Sequence, residues 1–402
     1  MERRKGEERV DLKYVMSSDS HIIEPYDLWT NALGDKHGDK VPHRVSEAKG
    51  IKGDFVFLGY DYMGVDDLRQ ENAGDTPDST VAVETGDLDP ELAARVLKAN
   101  SDPEERLKLM DMDGVDSELI QATNMLLAMR IRETAVLNDC AAVFNDFCVE
   151  YCEYDPQRLV GSAMIPMHDV DWAIAELQRT RKKGLRTAII NTDLPENFAP
   201  YRKPEYDKFW AAAVDLDMPV TLHLGTGETV DPFCFITPEE QEWGPKYFLA
   251  VFGDQQYALV NEFIFGGIFD RFPTLQLITG EYECSWFPYW LYRCKQMQGA
   301  LGMAMNIPQI KRSIEEYVAE NMWIAFTDDL YFDRSWDVIG EDRIMWGSDY
   351  PHPRNTFPNS HDIIKNRLAG TPDRVVAKAA GLNCARLFDL PVPEAAAAIA
   401  AE

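Results

Sequence analysis

Short apolar runs recur along the chain, and from about residue 101 they alternate with stretches of helical periodicity. Runs of this length, bounded by turn-forming residues, are typical of buried strands. Strands that alternate with helices favour an α/β fold with a parallel sheet, and eight of them predict a closed (β/α)8 TIM barrel. An open, doubly wound sheet is the alternative. The eight predicted strands cover residues 13–21, 117–123, 158–166, 185–190, 219–225, 275–281, 322–328 and 343–349.

The helical stretches between these strands have recognisable ends. Ser101–Glu105 forms a cap, a proline and an acidic first turn, and Gly114 is placed to end the same helix. Further helices are predicted over residues 131–154 and 169–183, and another begins at Pro204. These helices fill the gaps between the predicted strands, as a barrel of alternating units requires.

A long connection, residues 25–100, follows the first strand, and we expect an insertion that is either a lid or a solvated excursion. Within residues 61–91 it holds ten acidic residues and one basic residue, and residues 55–64 predict a small hairpin. The alanine-rich tail, residues 391–402, predicts a helix that is frayed or packed on a partner. One barrel with these two additions accounts for the length, so we predict a single domain over residues 1–402.

Composition narrows the choice of partners and compartment. The chain has 402 residues and a formal net charge of −28, which argues against nucleic acid or an anionic membrane as a partner. The seven cysteines form no C-x-x-C pair, and buried thiols are the simplest interpretation. The charged N-terminus lacks the apolar run of a signal peptide, and no run approaches the length of about 20 apolar residues that spans a bilayer. We therefore expect a cytoplasmic location.

Residues able to bind a metal end several of the predicted strands. Asp19 and His21 end the first strand as D-S-H, and alternation sends both side chains to one side. His223 ends the fifth strand, Glu281 the sixth and Asp349 the eighth. In a parallel barrel these strand ends meet at the site, although each residue alone is more often a loop hydrogen-bonder or a helix cap. Together, imidazoles and carboxylates predict one divalent metal ion, zinc in the first place and manganese as the alternative.

Further residues are assigned supporting or substrate-binding roles. His352 follows Asp349 by three residues and is expected to brace that loop, and Glu24 is expected to hold the loop after the first strand through hydrogen bonds. Arg186 is a candidate anchor for a carboxylate, with a surface ion pair as the alternative. Trp286 is a candidate for the wall of an aromatic pocket, with core packing as the alternative, as are Trp29, Phe233 and Phe235.

Four stretches carry a family resemblance: SSDSHIIEPYDLW, PVTLHLGTG, FIFGGIFDRFPTLQLITGEYECSWFPYWLYR, and NMWIAFTDDL followed by DRIMWGSDYPHP. They resemble the amidohydrolase superfamily, in the amidohydrolase-2 branch that includes aminocarboxymuconate-semialdehyde decarboxylase. The resemblance implies that Asp19 and His21 are the first two metal ligands and that His223 is the strand-five ligand. It also implies that Asp349 both binds the metal and handles a proton. By analogy with proteins of this resemblance, we expect a homodimer.

The sequence departs from the family pattern at Glu281. The family's decarboxylases, and many of its hydrolases, carry a histidine in an H-G-G type motif at this place, whereas this chain has G-E-Y-E. A glutamate beside a divalent ion is expected to be ionised, because the positive charge favours that form. Glu281 is therefore a candidate metal ligand, base for water or orienter of a ligand, with a salt bridge to Arg293 or to another cation of the loops as the structural alternative.

The preferred functional prediction is a metal-dependent hydrolase that acts on a small, aromatic-derived organic acid. A metal-activated water would attack the substrate, with Asp349 or Glu281 as the general base. The alternative is a non-oxidative, metal-dependent decarboxylase of an aromatic or muconate-type acid, which the family branch favours and the missing histidine disfavours. A catalytically silent metal-binding scaffold is a third hypothesis from a different class.

Overall fold

The computed structural model describes residues 12–64 and 88–400. Short strands recur along this part of the chain, and most of them are buried, as the apolar runs predict. The strands of the described residues are β1 Met16–His21, β2 His43–Ala48, β3 Ile51–Phe57, β4 Tyr62–Gly64, β5 Ser117–Gln121, β6 Leu159–Met164, β7 Thr187–Ile190, β8 Val220–His223, β9 Leu277–Gly280, β10 Met322–Phe326 and β11 Ile344–Trp346.

Eight of these strands form one parallel sheet in the order β1-β5-β6-β7-β8-β9-β10-β11. The two ends of the sheet meet just beyond β11, where Ser20 and Tyr350 form a parallel bridge. The backbone N–H of His21 donates to the carbonyl of Tyr350 at 2.6 Å, and that of Asp349 donates to the carbonyl of Asp19 at 2.8 Å. The predicted (β/α)8 barrel is therefore confirmed, all eight predicted strands are present, and the open-sheet alternative is wrong.

Helices surround the barrel in the places that the sequence predicts. The cap at Asp102 accepts the backbone N–H of Glu105 at 3.1 Å, and Gly114 ends the helix with a φ of +76°. The α-helices of the described residues are α1 Leu28–His37, α2 Pro90–Ala99, α3 Pro103–Asp113, α4 Asn124–Ala128, α5 Thr134–Cys152, α6 Val170–Lys182, α7 Asp207–Asp215, α8 Pro238–Gln241, α9 Gly244–Val251, α10 Asp254–Ala258, α11 Ile268–Arg271, α12 Phe287–Gln298, α13 Ala300–Ala304, α14 Ile314–Asn321, α15 Trp336–Ile339, α16 Ser360–Arg367, α17 Asp373–Ala377, α18 Asn383–Leu387 and α19 Glu394–Ala400.

The insertion after β1 carries a small antiparallel sheet in the order β2-β3-β4. The predicted hairpin is the pair of β3 and β4, in which Phe55 faces Gly64. The sequence pattern does not reveal β2, because only one of its six residues is buried and it lacks the apolar run of a barrel strand. Part of the predicted insertion, residues 65–87, lies outside the described residues.

The C-terminal tail packs against the amino end of the barrel. Met16 of β1, Trp323 of β10 and Met345 of β11 form an apolar cluster with Phe388 and with Ala396 of α19. The helix expected in the tail is therefore present, and it buries this alanine on its own chain. The single-domain division of the whole chain stays a prediction. Because the tail covers the amino end, the carboxyl end of the barrel is where loops can build a site.

The seven cysteines are free and buried, which confirms the interpretation of the cysteines as buried thiols. Cys148 and Cys152 of α5 pack against Gly161 of β6, where a Cβ atom would lie 3.1 Å from each sulfur. Among the described residues, the helices are all too short or too polar to cross a membrane.

Candidate metal site and cavity

The predicted metal-binding residues converge at the carboxyl end of the barrel. Asp19 and His21 lie on β1, His223 is the last residue of β8, and Asp349 follows β11. The Nε2 atom of His21 lies 3.0 Å from Oδ1 of Asp19 and 3.3 Å from Oδ1 of Asp349. The Nε2 atom of His223 lies 3.2 Å from Oδ1 of Asp19. The structure thus brings together all four residues, although their role as ligands stays a prediction.

Several of the converging atoms are buried and unsatisfied. Oδ2 of Asp19, Nε2 of His21 and Oδ1 of Asp349 form no well-directed hydrogen bond to any described residue. On the far side of each imidazole, Nδ1 of His21 lies 2.6 Å from the carbonyl of Ala122, and Nδ1 of His223 lies 2.9 Å from that of Leu224. A carbonyl only accepts, so Nδ1 carries the proton in the neutral ring and the Nε2 lone pair faces the centre. The Nε2 lone pairs and the unsatisfied carboxylate oxygens are ligand atoms that fit a divalent cation.

The electrostatics of the site favour added positive charge. Burial lowers the pKa of His21, but the carboxylates of Asp19 and Asp349 outweigh it and raise the pKa well above its usual value. Burial raises the pKa of Asp19, but the nearby His223 and His21 hold it well below its usual value. Asp349 behaves likewise, because His352 and His21 lower its pKa against the effect of burial. A proton or a metal ion is therefore drawn to this cluster.

Three buried serines hold the backbone on either side of the site. The hydroxyls of Ser17, Ser20 and Ser348 lie within 3.1 Å of one another. Ser17 Oγ donates to the carbonyl of Asp19 at 2.7 Å and accepts the backbone N–H of Ser348 at 2.8 Å. Asp349 itself has a φ of +57°, a left-handed conformation that is uncommon outside glycine. These hydroxyls tie the residues before and after the barrel closure into one rigid support.

His352 and Glu24 make a second set of contacts beside the site, and the supporting roles assigned to them stay predictions. Nδ1 of His352 lies 2.8 Å from Oδ1 of Asp349, and its ring stacks on that of His21 with 3.9 Å between centroids. Its Nε2 atom lies 3.0 Å from the hydroxyl of Thr123. The carboxylate of Glu24 accepts backbone N–H groups at the start of α4, those of Thr123, Asn124 and Met125. Glu24 therefore fixes the loop after β5, which carries the Thr123 hydroxyl that contacts His352.

Glu281 lies at the edge of the cluster, next to the cavity. Its Oε2 atom is 3.8 Å from Nδ1 of His223, and its φ of +65° is again left-handed. Burial, followed by the negative charges of Asp349 and Asp19, raises the pKa of Glu281 well above its usual value. The structural alternative of a salt bridge between Glu281 and Arg293 is wrong. The guanidinium of Arg293 instead donates hydrogen bonds to Tyr289 and Gln296 on α12.

Arg186 and Trp286 lie away from the site. Arg186 immediately precedes β7, so it lies at the amino end of the barrel, opposite the cluster, and cannot anchor a substrate there. Trp286 directs its Nε1 proton to the carbonyl of Glu283 at 2.8 Å and packs on Phe287 and Trp290. Both assignments are corrected, because Arg186 precedes its strand instead of following it and the ring of Trp286 packs against residues of α12.

A cavity of about 590 Å³ opens above the cluster. Glu281, Asp349 and His352 line it at the barrel end, and two of the predicted aromatic residues, Phe233 and Phe235, line it farther out. The sequence did not identify several of its lining residues, because they come from the small sheet, α9 and the loop after His352: Met63, Phe248, Phe252 and Arg354. For Phe248 and Phe252, the sequence signal is the aromatic content of residues 233–252.

Known proteins similar to this chain include a gamma-resorcylate decarboxylase from Polaromonas sp. (strain JS666), 26% identical over 340 residues that cover 82% of this chain and 97% of the relative. The barrel superposes on an amidohydrolase from Mycobacterium avium subsp. paratuberculosis K-10 with a TM-score of 0.72, 19% identity and coverage of 96% and 100%. It also superposes on a dihydroxybenzoic acid decarboxylase from Polaromonas sp. JS666, with bound manganese and 2-nitroresorcinol, with a TM-score of 0.63, 19% identity and coverage of 94% and 97%.

The curated relative corrects the predicted reaction. It covers most of this chain and is a decarboxylase, so the preferred prediction of a hydrolase is wrong. The residues could not decide this, because the same ligands that activate a water can also bind a carboxylate. Glu281, which stands in place of the family's histidine, therefore does not argue against decarboxylation.

The family itself follows from a match along most of the sequence. The amidohydrolase family model matches residues 77–390, more than three quarters of the chain. The matched range includes β5 to β11 and both His223 and Asp349. The resemblance inferred from the sequence motifs is thereby confirmed: the chain belongs to the amidohydrolase family.

Proposed function

We propose that this protein is a metal-dependent, non-oxidative decarboxylase of an aromatic acid. The observation that carries the proposal is the similarity to the gamma-resorcylate decarboxylase along nearly its whole length. The site adds support, because Asp349 faces a cavity large enough for an aromatic ring, directly beside the candidate metal ligands. A small aromatic carboxylate is therefore the substrate class that we propose.

The residues that would hold the metal are Asp19, His21, His223 and Asp349. A divalent ion bound there supplies the positive charge that attracts a substrate carboxylate and an adjacent hydroxyl oxygen. We propose manganese rather than the zinc expected from the sequence, because carboxylate oxygens suit manganese and Glu281 adds a third carboxyl to the cluster. The manganese in the similar dihydroxybenzoate enzyme agrees with this choice.

Asp349 is the proposed proton donor to the ring. A hydroxyl beside the substrate carboxylate gives its proton to the Asp349 carboxylate on binding, which leaves an electron-rich ring. Asp349 then protonates the ring carbon that bears the carboxylate. The carbon–carbon bond breaks, its electron pair returns to the ring, and carbon dioxide leaves. The phenolate regains a proton when the product departs.

Glu281 is the proposed second catalytic carboxyl. One of its oxygens lies within 4.8 Å of a carboxylate oxygen of Asp349, close enough for a proton to pass through one water. We propose that Glu281 passes a proton from solvent to the phenolate between turnovers, since Asp349 is already a carboxylate again once it has protonated the ring. A Glu281→Gln variant that keeps the metal but loses turnover supports this role, whereas one that loses the metal shows a ligand instead.

Isotope incorporation tests the reaction. A set of 2-hydroxybenzoates is incubated with the metal-loaded protein in deuterated, ¹⁸O-labelled water. Decarboxylation places one deuterium on the ring carbon and no ¹⁸O in the phenol, and it releases carbon dioxide. An Asp349→Asn variant should lose this exchange, while the exposed control Asp333→Asn keeps it. Solvent ¹⁸O in the organic product, or activity retained in Asp349→Asn, contradicts the proposal.

Metal content tests the ligand set directly. Elemental analysis of purified protein should find about one divalent ion per chain, and a His223→Ala variant should lose it. His43→Ala on β2 is the matched control, because its Nδ1 contacts only the carbonyl of Val41 among the described residues. Equal metal content in all three proteins contradicts the assignment.

The homodimer and the cytoplasmic location stay predictions of this proposal. Light scattering of the purified protein should give twice the chain mass of 45.7 kDa. The seven free cysteines should react with a thiol reagent in protein that is unfolded without reductant. A monomer, or fewer than seven free thiols, contradicts the corresponding prediction.

A further inference from the structure

The cavity above the proposed metal site is larger than a hydroxybenzoate needs. Its volume is about 590 Å³. An apolar cavity of about 150 Å³ is enough to bind benzene. Four or five further heavy atoms, each given the roughly 30 Å³ that a water molecule takes, bring the requirement to about 300 Å³. Roughly half of the cavity is then left for another part of the substrate.

The two ends of this cavity differ in polarity. The end at the barrel is built by loops after β5, β9, β10 and β11, and it presents carboxylates, hydroxyls, His352 and the guanidinium of Arg354. The outer end is built by β4, α4, α9 and the loop after β8. We call its apolar side chains the apolar wall, and they are Met63, Leu127, Phe233, Phe235, Phe248 and Phe252. The spare volume therefore lies beside apolar groups.

Two polar residues on the outer side are already bound within the protein. The carboxylate of Asp231 accepts the backbone N–H of Phe233 at 2.9 Å. The amide of Gln241 donates to the carbonyl of Phe235 at 3.3 Å. Neither of these hydrogen bonds needs a ligand, so the outer end favours a hydrocarbon group rather than a second charged group.

The rim of the apolar wall leaves large aromatic surfaces exposed. Phe248 is 55% exposed and Phe233 is 45% exposed, although both line the cavity. Phe248 also packs on Phe252, with 5.0 Å between ring centroids, so its position is fixed from one side. Exposed aromatic surface that is continuous with a cavity is a feature of ligand-binding sites.

We propose that the substrate is a hydroxybenzoate that carries a long apolar substituent, such as an alkyl chain, which lies along the apolar wall. This inference rests on the proposed decarboxylase function and adds to it the class of substrate. The acid group lies at the polar end, beside Asp349, and the substituent fills the volume that a bare ring leaves free.

A homologous series of substrates tests the inference. The probes are 2-hydroxybenzoates with a methyl, propyl or pentyl group at ring carbon 4, 5 or 6, and carbon dioxide release gives kcat/KM for each. For at least one ring position, kcat/KM should rise about fourfold per methylene until the cavity is filled. A flat or falling series at all three positions overturns the inference.

A matched pair of variants locates the effect. In Phe248→Ala, the ratio of kcat/KM for the pentyl and methyl compounds should fall about fivefold, because half of an aromatic face is removed. Leu249→Ala is the control, since Leu249 is the next residue and 76% exposed, and it lies outside the cavity lining of the described residues. An equal ratio in the two variants overturns the assignment to the apolar wall. Both positions are exposed, so both variants are expected to fold.

A binding arm separates this inference from the proposed function. Calorimetry with resorcinol and 5-pentylresorcinol needs no turnover, and the pentyl compound should bind at least tenfold more tightly. If no acid is decarboxylated but this difference is found, the apolar site stands and the proposed reaction fails. If bare 2-hydroxybenzoate is decarboxylated and neither series depends on chain length, the reaction stands and the inference fails.

Discussion

A buried ion pair beneath the site gives the sharpest stability prediction. Arg106 of α3 donates through Nε to Glu118 of β5 at 2.6 Å, and the two side chains are 1% and 4% exposed. The same guanidinium donates through Nη1 to the carbonyl of His21 at 2.8 Å. It also lies over the ring of Tyr350, 4.2 Å from the centroid. Arg106 therefore joins two barrel strands and the loop beside Asp349, and we propose to replace it with leucine.

The size of the effect follows from what the substitution leaves behind. Arg106→Leu leaves the Glu118 carboxylate buried without its partner, which destabilises a protein by about 3–5 kcal/mol. The lost hydrogen bond to the His21 carbonyl falls within this range, because such contributions are not additive. Glu118→Leu should lose a similar amount, since it strands the guanidinium. The double variant removes both charges and should lose no more than about 2 kcal/mol, which corresponds to a coupling of at least about 4 kcal/mol between the two positions.

Urea unfolding of the metal-free protein, followed by tryptophan fluorescence and circular dichroism together, measures these differences. Coincident transitions justify the two-state treatment of each curve. Lys108→Ala, also on α3, is the control, because its pair with Glu104 is more than half exposed and should change stability by under about 0.5 kcal/mol. Single variants that lose less than about 1 kcal/mol, or a double variant as unstable as their sum, would refute the reasoning.

Three further predictions concern the site and its surroundings. In Gly347→Ala the new Cβ would lie 2.5 Å from that of Asp19, so bound metal should fall, whereas Gly244→Ala meets open space and should keep it; elemental analysis decides. Burial lowers the pKa of His168 to about 4, so its neutral folded form contributes stability above pH 6.5 that is lost as pH falls towards 4. His168→Phe should lessen that loss in urea titrations, and an unchanged dependence of the free energy of unfolding on pH contradicts the prediction. Protons compete with metal for His21, whose pKa is raised, so the calorimetric Kd for manganese should rise on acidification, and a constant Kd argues against it.

The barrel could be predicted because its strands are buried on both sides. A strand such as β8 then becomes a short apolar run, and the direction of a parallel strand shows which end its polar residues occupy. That rule placed His223 and Asp349 together although 126 positions separate them in the chain. The same rule excludes Arg186 from the site, because Arg186 precedes β7 and lies at the amino end of the barrel. The rule therefore predicts a site only for residues that follow a strand.

The outer cavity could not be predicted in the same way. Met63 and Phe248 meet there from β4 and α9, and neither position has a periodic pattern or a strand end to mark it. Their proximity depends on how the insertion folds over the barrel mouth, which is a long-range packing result. The reaction was beyond the sequence for a different reason: ligand identity fixes the metal chemistry available, whereas the substrate decides whether water or a ring carbon is the reacting group.

The acidity of the chain and an anionic substrate are compatible because of how the site distributes charge. In the metal-free site Asp19 and Asp349 stay ionised beside the imidazoles, whereas burial and these two charges raise the pKa of Glu281. With His21 and His223 neutral as ligands, Asp19 and Asp349 would carry the charge that one divalent ion cancels. The proposed metal then makes the polar end acceptable to a carboxylate, and the apolar wall contributes affinity that does not depend on charge. In such a site the cation binds the acid group of the substrate, and the apolar wall selects substrates by the length of their apolar substituent.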